Sequence, residues 1–263
     1  LHDALPISRC ALPEPILQLA LGNGRAFAIT GGGASPYECP LAGAEAAPIS
    51  PALPAASADP FERARGLAAD GDELFWITVG SAGVRRLYRA APSATGLAAE
   101  ELCSFQGDGD PGVIHLALDD TSVHWADAAV NTIHRAPRAG GEVSWIRVPD
   151  VITTQIAVDD DFIYWASWGS IYRMPREGGA PEEVIAARPD TERVWALAVD
   201  GGFIHWGGRD LRDSFIRRAP KDAPLSVEEI WGDGDCWEGE MQLGAGSMSW
   251  VCVLGRGAVY RAR

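Results

Sequence analysis

Between Gln155 and Gly179, QIAVDDDFIYWASWGSIYRMPREGG, apolar and polar positions form one phrase. An apolar run ends on Asp, a polar turn follows, an aromatic run passes through Trp, and a third run ends on Tyr-Arg. The phrase recurs at intervals of 40 to 49 residues, the spacing of a supersecondary unit repeated in an array. Its first run ends at Gly22, Asp70, Asp119, Asp159, Asp200 and Gly244. Six residues later stand Ala28, Trp76, Trp125, Trp165, Trp206 and Trp250. This offset is constant while the distance between repeats varies, so insertions fall in loops.

The first run alternates large and small: Leu116 and Leu118 about Ala117, Ile156 and Val158 about Ala157, Leu197 and Val199 about Ala198. Ala20 and Ala68 hold the same small slot, and Gln242 is the exception. A period of two is that of a strand. Small residues on one face let neighbouring sheets approach near a crowded axis. The third run closes on LYRAAP at 87–92, IHRAPR at 133–138, IYRMPR at 171–176, IRRAPK at 216–221 and VYRAR at 259–263; the first copy, around Tyr37, is degenerate. A fourth run follows in most copies, as in Glu182-Glu-Val-Ile. Four short runs per unit, rich in β-branched and aromatic residues, predict an all-β fold, a six-bladed β-propeller of four-stranded blades.

The blades are expected at about 16–50, 63–105, 112–148, 151–187, 193–231 and 239–263, as a single domain from residue 9 to 263. The sixth copy reaches Arg263 after its third run, so residues 9–15 are expected to supply its outer strand, short because of their prolines. Residues 46–60, AAPISPALPAASADP, read as a long surface connection. Leu1 to Ser8, LHDALPIS, resembles a translated sequencing adapter and is set aside, which leaves the true N-terminus missing.

A net charge of −14 argues against nucleic acid or an anionic membrane as partner. No stretch approaches the roughly 20 apolar residues of a membrane span. The five cysteines, Cys10, Cys39, Cys103, Cys236 and Cys252, contain no CxxC. Their number leans towards an oxidising compartment, hence an extracellular, periplasmic or surface-anchored monomer. A disulfide between Cys236 and Cys252 would pin the sixth inner strand, and Cys10 and Cys39 could pair near the N-terminus.

Residues that recur in a repeat slot are read as structural. His124, His205 and Tyr164 share one slot, and His134 shares another with Tyr88, Tyr172 and Tyr260. Arg89, Arg135, Arg173, Arg218 and Arg261 are expected to pair with strand-end carboxylates or carbonyls. The Asp-rich turns lack the ligand spacing of a calcium loop and read as hairpin turns. Residues that differ between repeats are more telling. Four positions before the end of each first run stand Gln18, Gly66, His115, Gln155, Ala196 and Glu240. These positions should ring one mouth of the central channel, flanked by Arg65 and Trp195. The candidate ligand-binding set is therefore Gln18, Arg65, His115, Gln155, Trp195 and Glu240, suited to a small polar ligand or a metal. Asp108, Asp110, Asp233 and Asp235, in two Asp-Gly-Asp loops, are weaker candidates for a cation such as calcium.

The phrase IAVDDDFIYW…SIYRMPREGG resembles the AVDxxxVYW…VxRxPxxGG repeats found among surface or secreted proteins of myxobacteria, and more broadly the YWTD and NHL-like six-bladed propellers. The resemblance spans roughly residues 16–263. It implies the fold and says little of activity, since propellers serve as enzymes and as binding modules. No GxSxG, HExxH or P-loop motif occurs. The expectation is a non-catalytic recognition propeller, without a required cofactor, whose channel-mouth face takes a protein, glycan or small polar ligand. The alternative is a metal-dependent lactonase-type hydrolase. That family uses a Glu with Asn and Asp ligands near the axis. Glu240 fits the first role, but Asn23 and Asn131 lie in other loops.

Overall fold

A computed structural model describes residues 16–22, 25–30, 32–39, 47–48, 59–93, 96–107, 114–127, 130–148, 155–186, 192–233, 239–244, 247–252 and 259–262. The chain divides into two compact units, Arg9–Trp145 and Ile146–Arg263, each taken here by itself.

The first unit holds three antiparallel meanders. Blade one runs Ile16–Gly22, Arg25–Thr30, Tyr37–Cys39 and Ala47–Pro48. Blade two runs Arg63–Asp70, Glu73–Val79, Val84–Ser93 and Gly96–Gln106. Blade three runs Leu116–Leu118, Ser122–Asp127, Thr132–Pro137 and Ser144–Arg147, the unit boundary falling in its last strand. In the second unit, blade four runs Gln155–Val158, Phe162–Ser167, Ser170–Pro175 and Glu182–Ile185. Blade five runs Arg193–Val199, Phe203–Arg209, Ser214–Pro220 and Glu228–Asp233. The sixth repeat gives Gly239–Gly244, Ser247–Cys252 and Val259–Ala262.

Among the described residues five repeats thus form four-stranded blades, where six were expected, and the sixth repeat forms three strands. Residues 9–15, expected to supply its outer strand, lie outside the described residues. Part of the expected surface connection is a strand instead: Ala47–Pro48 pairs with Tyr37–Cys39 as the outer edge of blade one. A proline is tolerated there because an edge strand leaves one row of amides unpaired.

One register repeats throughout. The large residue three before the turn lies opposite the sixth-position anchor: Leu67 and Trp76, Leu116 and Trp125, Ile156 and Trp165, Leu197 and Trp206. The small alanine lies opposite a ring: Ala20 and Phe27, Ala68 and Phe75, Ala117 and His124, Ala157 and Tyr164, Ala198 and His205. Directly opposed side chains share one face, so a bulky ring demands a small partner. Gln242, the exception, lies opposite Ser249 in the register.

The anchors Trp76, Trp125 and Trp165 are buried and stack on the third strand. Trp76 lies over Tyr88 at 5.2 Å, Trp125 over His134 at 5.3 Å and Trp165 over Tyr172 at 5.8 Å between centroids. Such a pair contributes about 0.5–1.5 kcal/mol beyond burial. His134 works here as a tyrosine substitute, and burial lowers its pKa and favours the neutral ring. Apolar clusters then join neighbouring blades within each unit. Phe27, Leu67 and Trp76 link blades one and two, and Tyr164, Ile171, Val194 and Trp206 link four and five.

The turn that ends the first strand is a repeated clamp. Asp119 Oδ1 accepts from the amides of Thr121 and Ser122, Asp159 Oδ1 from Asp161 and Phe162, and Asp200 Oδ1 from Gly202 and Phe203. The second carboxylate oxygen takes the ring five residues on: His124 at 2.8 Å, Tyr164 at 3.0 Å and His205 at 2.9 Å. The slot shared by His124, Tyr164 and His205 is therefore a donor slot. The repeated arginines pair chiefly with outer-strand glutamates, Arg173 with Glu182 and Arg218 with Glu228. Arg135 instead donates to Ser122 Oγ at 2.9 Å.

Candidate functional site

Each inner strand begins at the end of its blade away from the Asp clamp, here termed the leading end. In the first unit three of the anticipated site residues meet there. The buried Gln18 donates through Nε2 to Ile114 O (3.2 Å) and to His115 Nδ1 (3.1 Å). The amide of Ile114 donates to Arg65 O at 2.6 Å. Three inner strands converge because Gly66 lets the third approach: a Cβ there would lie 2.7 Å from Ile114 O. Arg65 is the extra residue of a β-bulge between Ala64 and Gly66, the device that re-aims a side chain at a strand end. Arg65 and His115 are partly exposed.

Two ion pairs stiffen this end. Arg85 and Asp127, both buried, join blades two and three, and Glu62 takes Thr78 and Arg86. Gly107 makes room, since any Cβ there would strike the Arg85 guanidinium.

In the second unit Gln155 Nε2 donates to Trp195 O at 2.7 Å. Trp195 is likewise the bulge residue, between Val194 and Ala196. Its buried ring packs against Gly207, where a Cβ would come within 2.5 Å of the indole, in a cluster with Ile216, Trp231 and Leu243. Only its main chain takes part. Gln18 and Gln155 thus do one job, satisfying a carbonyl where a neighbouring inner strand begins. Glu240 lies on the sixth inner strand opposite Val251, its side chain outside the described residues.

Asp108, Asp110, Asp235 and Cys236 also lie outside the described residues, as do the side chains of Asp233 and Cys252. The two-loop cation set and the Cys236–Cys252 disulfide, like Cys10–Cys39, therefore fall there. Among the described residues Cys103 is free, and burial raises its thiol pKa to about 11. Among them, too, no three His, Cys, Asp or Glu side chains are grouped to hold a metal ion.

A feature outside the anticipated set lies between blades four and five. Trp168 occupies the two-residue loop Trp168-Gly169 with φ of +56° and is 48% exposed. That left-handed conformation costs a non-glycine residue about 1–2 kcal/mol. Its carbonyl accepts from the Val194 amide at 2.8 Å, as Gly33 accepts from Ala64 in the first unit. The same bond is thus made with glycine in one place and tryptophan in the other, so the bond does not require the indole. The Arg193 guanidinium lies over the Trp168 ring at 4.5 Å, and Arg193 is directly opposite Arg209 in the strand register. The signal available in the sequence was an indole in a tight loop where Gly, Asn or Asp is usual.

No protein-family model matches the chain, and no curated protein matches it. Solved structures do. A chain of a nidogen/laminin complex superposes with a TM-score of 0.60 at 15% identity, over 89% of this chain and 84% of that one. Streptogramin B lyase gives 0.58 at 13%, over 99% and 96%. The PQQ-bound aldose sugar dehydrogenase of Streptomyces coelicolor gives 0.63 at 12%, over 99% and 97%. The fold is a β-propeller. At these identities the likeness shows fold alone, and these propellers include one from a protein complex and two named as enzymes.

Proposed function

We propose that this propeller is a recognition module that uses the leading ends of its inner strands to take a protein, glycan or small polar ligand. The observation that supports it is the contrast between the two ends of the blades. The turn end repeats one clamp at Asp119, Asp159 and Asp200. The leading end shares the role of Gln18 and Gln155 but otherwise varies in its side chains, with Arg65, His115 and Trp168 exposed to different degrees. Stability calls for the same solution in every repeat, whereas recognition calls for different side chains on a rigid frame. The lactonase alternative would need Asn and Asp ligands beside Glu240. The corresponding slots hold Gln18, Gly66, His115, Gln155 and Ala196, with no carboxylate among them.

The test is a binding screen of glycans, peptides and small polar compounds against three proteins. These are the wild type, a leading-end variant (Arg65→Ser, His115→Ser, Trp168→Gly) and a turn-end variant (Asp120→Ser, Asp160→Ser). The expected result is a ligand retained by the turn-end variant and lost by the leading-end one. Loss confined to the turn-end variant would overturn the reading.

A further inference from the structure

Trp168, Arg193 and Arg209 lie in a row across the leading ends of blades four and five. The indole is exposed, is held in a conformation that glycine adopts more easily, and meets the Arg193 guanidinium at 4.5 Å. Arg209 stands directly opposite Arg193 in an antiparallel pair. One feature of this row thus runs against local stability, the left-handed indole. Local conflicts of this kind mark functional sites.

We propose that Trp168, Arg193 and Arg209 form a subsite for an acidic saccharide, the indole meeting the C–H face of a sugar ring and the two guanidiniums taking its carboxylate. The proposal rests on the recognition reading above and names the ligand class for this part of the face. A sugar ring offers a flat apolar face of the size of an indole, and aromatic side chains take such faces with little loss of conformational freedom. Guanidinium is the side chain best matched to carboxylate geometry. Of the carboxylates beside the row, Glu192 pairs with Arg217 at 3.1 Å and Asp210 accepts from the amides of Arg212 and Asp213. The Asp clamps stand at the far ends of strands such as Phe203–Arg209, seven residues long. At a rise of about 3.3 Å per residue that is roughly 20 Å, beyond the screening length of about 8 Å at physiological salt. Long acidic polymers would still feel the whole field, so a short acidic oligosaccharide is the better fit.

The experiment is calorimetric titration with trigalacturonate, its fully methyl-esterified form and neutral maltotriose. Wild type is expected to bind trigalacturonate at least tenfold more tightly than the ester or maltotriose, and less tightly as salt rises. Trp168→Gly, which suits the backbone conformation, and Arg209→Gln are each expected to weaken binding at least tenfold, with the melting temperature confirming that both fold. Asp120→Ser, at a turn end, is expected to bind as wild type. Equal affinity for acid and ester, or unchanged affinity in Trp168→Gly and Arg209→Gln, would overturn the proposal. So would no binding at millimolar trigalacturonate. In that last case a different ligand, lost by the leading-end variant in the screen above, would leave the recognition reading standing while this subsite falls.

Discussion

Lys221 Nζ lies 2.6 Å from Asp159 Oδ2, joining blade five to the turn clamp of blade four. The same slot in blade three, Arg138, reaches Asp70 of blade two at 2.7 Å. Where Asp70 lacks a His or Tyr five residues on, Arg138 covers Phe75 instead, at 5.3 Å from the ring centroid. Lys221→Met should lower stability by about 1 kcal/mol, the usual worth of a partly buried pair. Asp159→Ala should lower it by more, about 2–3 kcal/mol, because the turn amides and Tyr164 lose their acceptor as well. Urea denaturation of the two variants checks the order.

Acid should weaken the turn clamp of the third blade. Burial tends to raise the Asp119 carboxyl, but hydrogen bonds from His124 and Thr121 outweigh it and hold the pKa at about 2. A carboxylate lowered on folding stabilises the protein above its unfolded value near 4, and that stability is lost as pH falls towards 2. The contribution is about 1–2 kcal/mol. Asp119→Asn should therefore flatten the acid limb of the stability curve between about pH 4 and 2 while lowering stability at neutral pH. An acid limb unchanged in the variant would contradict this.

Gly66→Ala should destabilise the first unit by about 1–3 kcal/mol, because the new methyl meets a main-chain oxygen that moves only with its strand. Gly201→Ala is the control: nothing lies within 4 Å of its added Cβ, and stability should change by less than about 0.5 kcal/mol. Thermal melts of both variants check the difference.

Trp168→Gly should keep or raise stability, by up to about 1 kcal/mol, as relief of the left-handed backbone offsets the lost contact with Arg193. A drop of 2 kcal/mol or more would mean that the indole is there for the fold.

Much of the blade was legible because its rules are local. The anchor at offset six and the alternating inner strand fix which residues oppose each other, so Trp76, Trp125 and Trp165 fell where expected. The donor role of His124 and His205 was less visible, since a pattern of rings shows shape before hydrogen bonding. The leading end was legible only in part. Gln18 and His115 are 97 residues apart, and their contact depends on Gly66 letting a third strand close in. Trp195 was placed by alternation, but it is a bulge residue, and one extra residue breaks the two-residue period that assigns faces. Trp168 belongs to no repeat slot, and its backbone conformation is not a property of composition.

The most direct test of the recognition face is hydrogen-exchange footprinting with a ligand that emerges from the screen. Protection of amides at 167–170 and 192–195, or at 64–66 and 114–116, with the Asp clamps at 119–122 and 200–203 unchanged, is the expected result. Protection confined to the clamps would contradict the account.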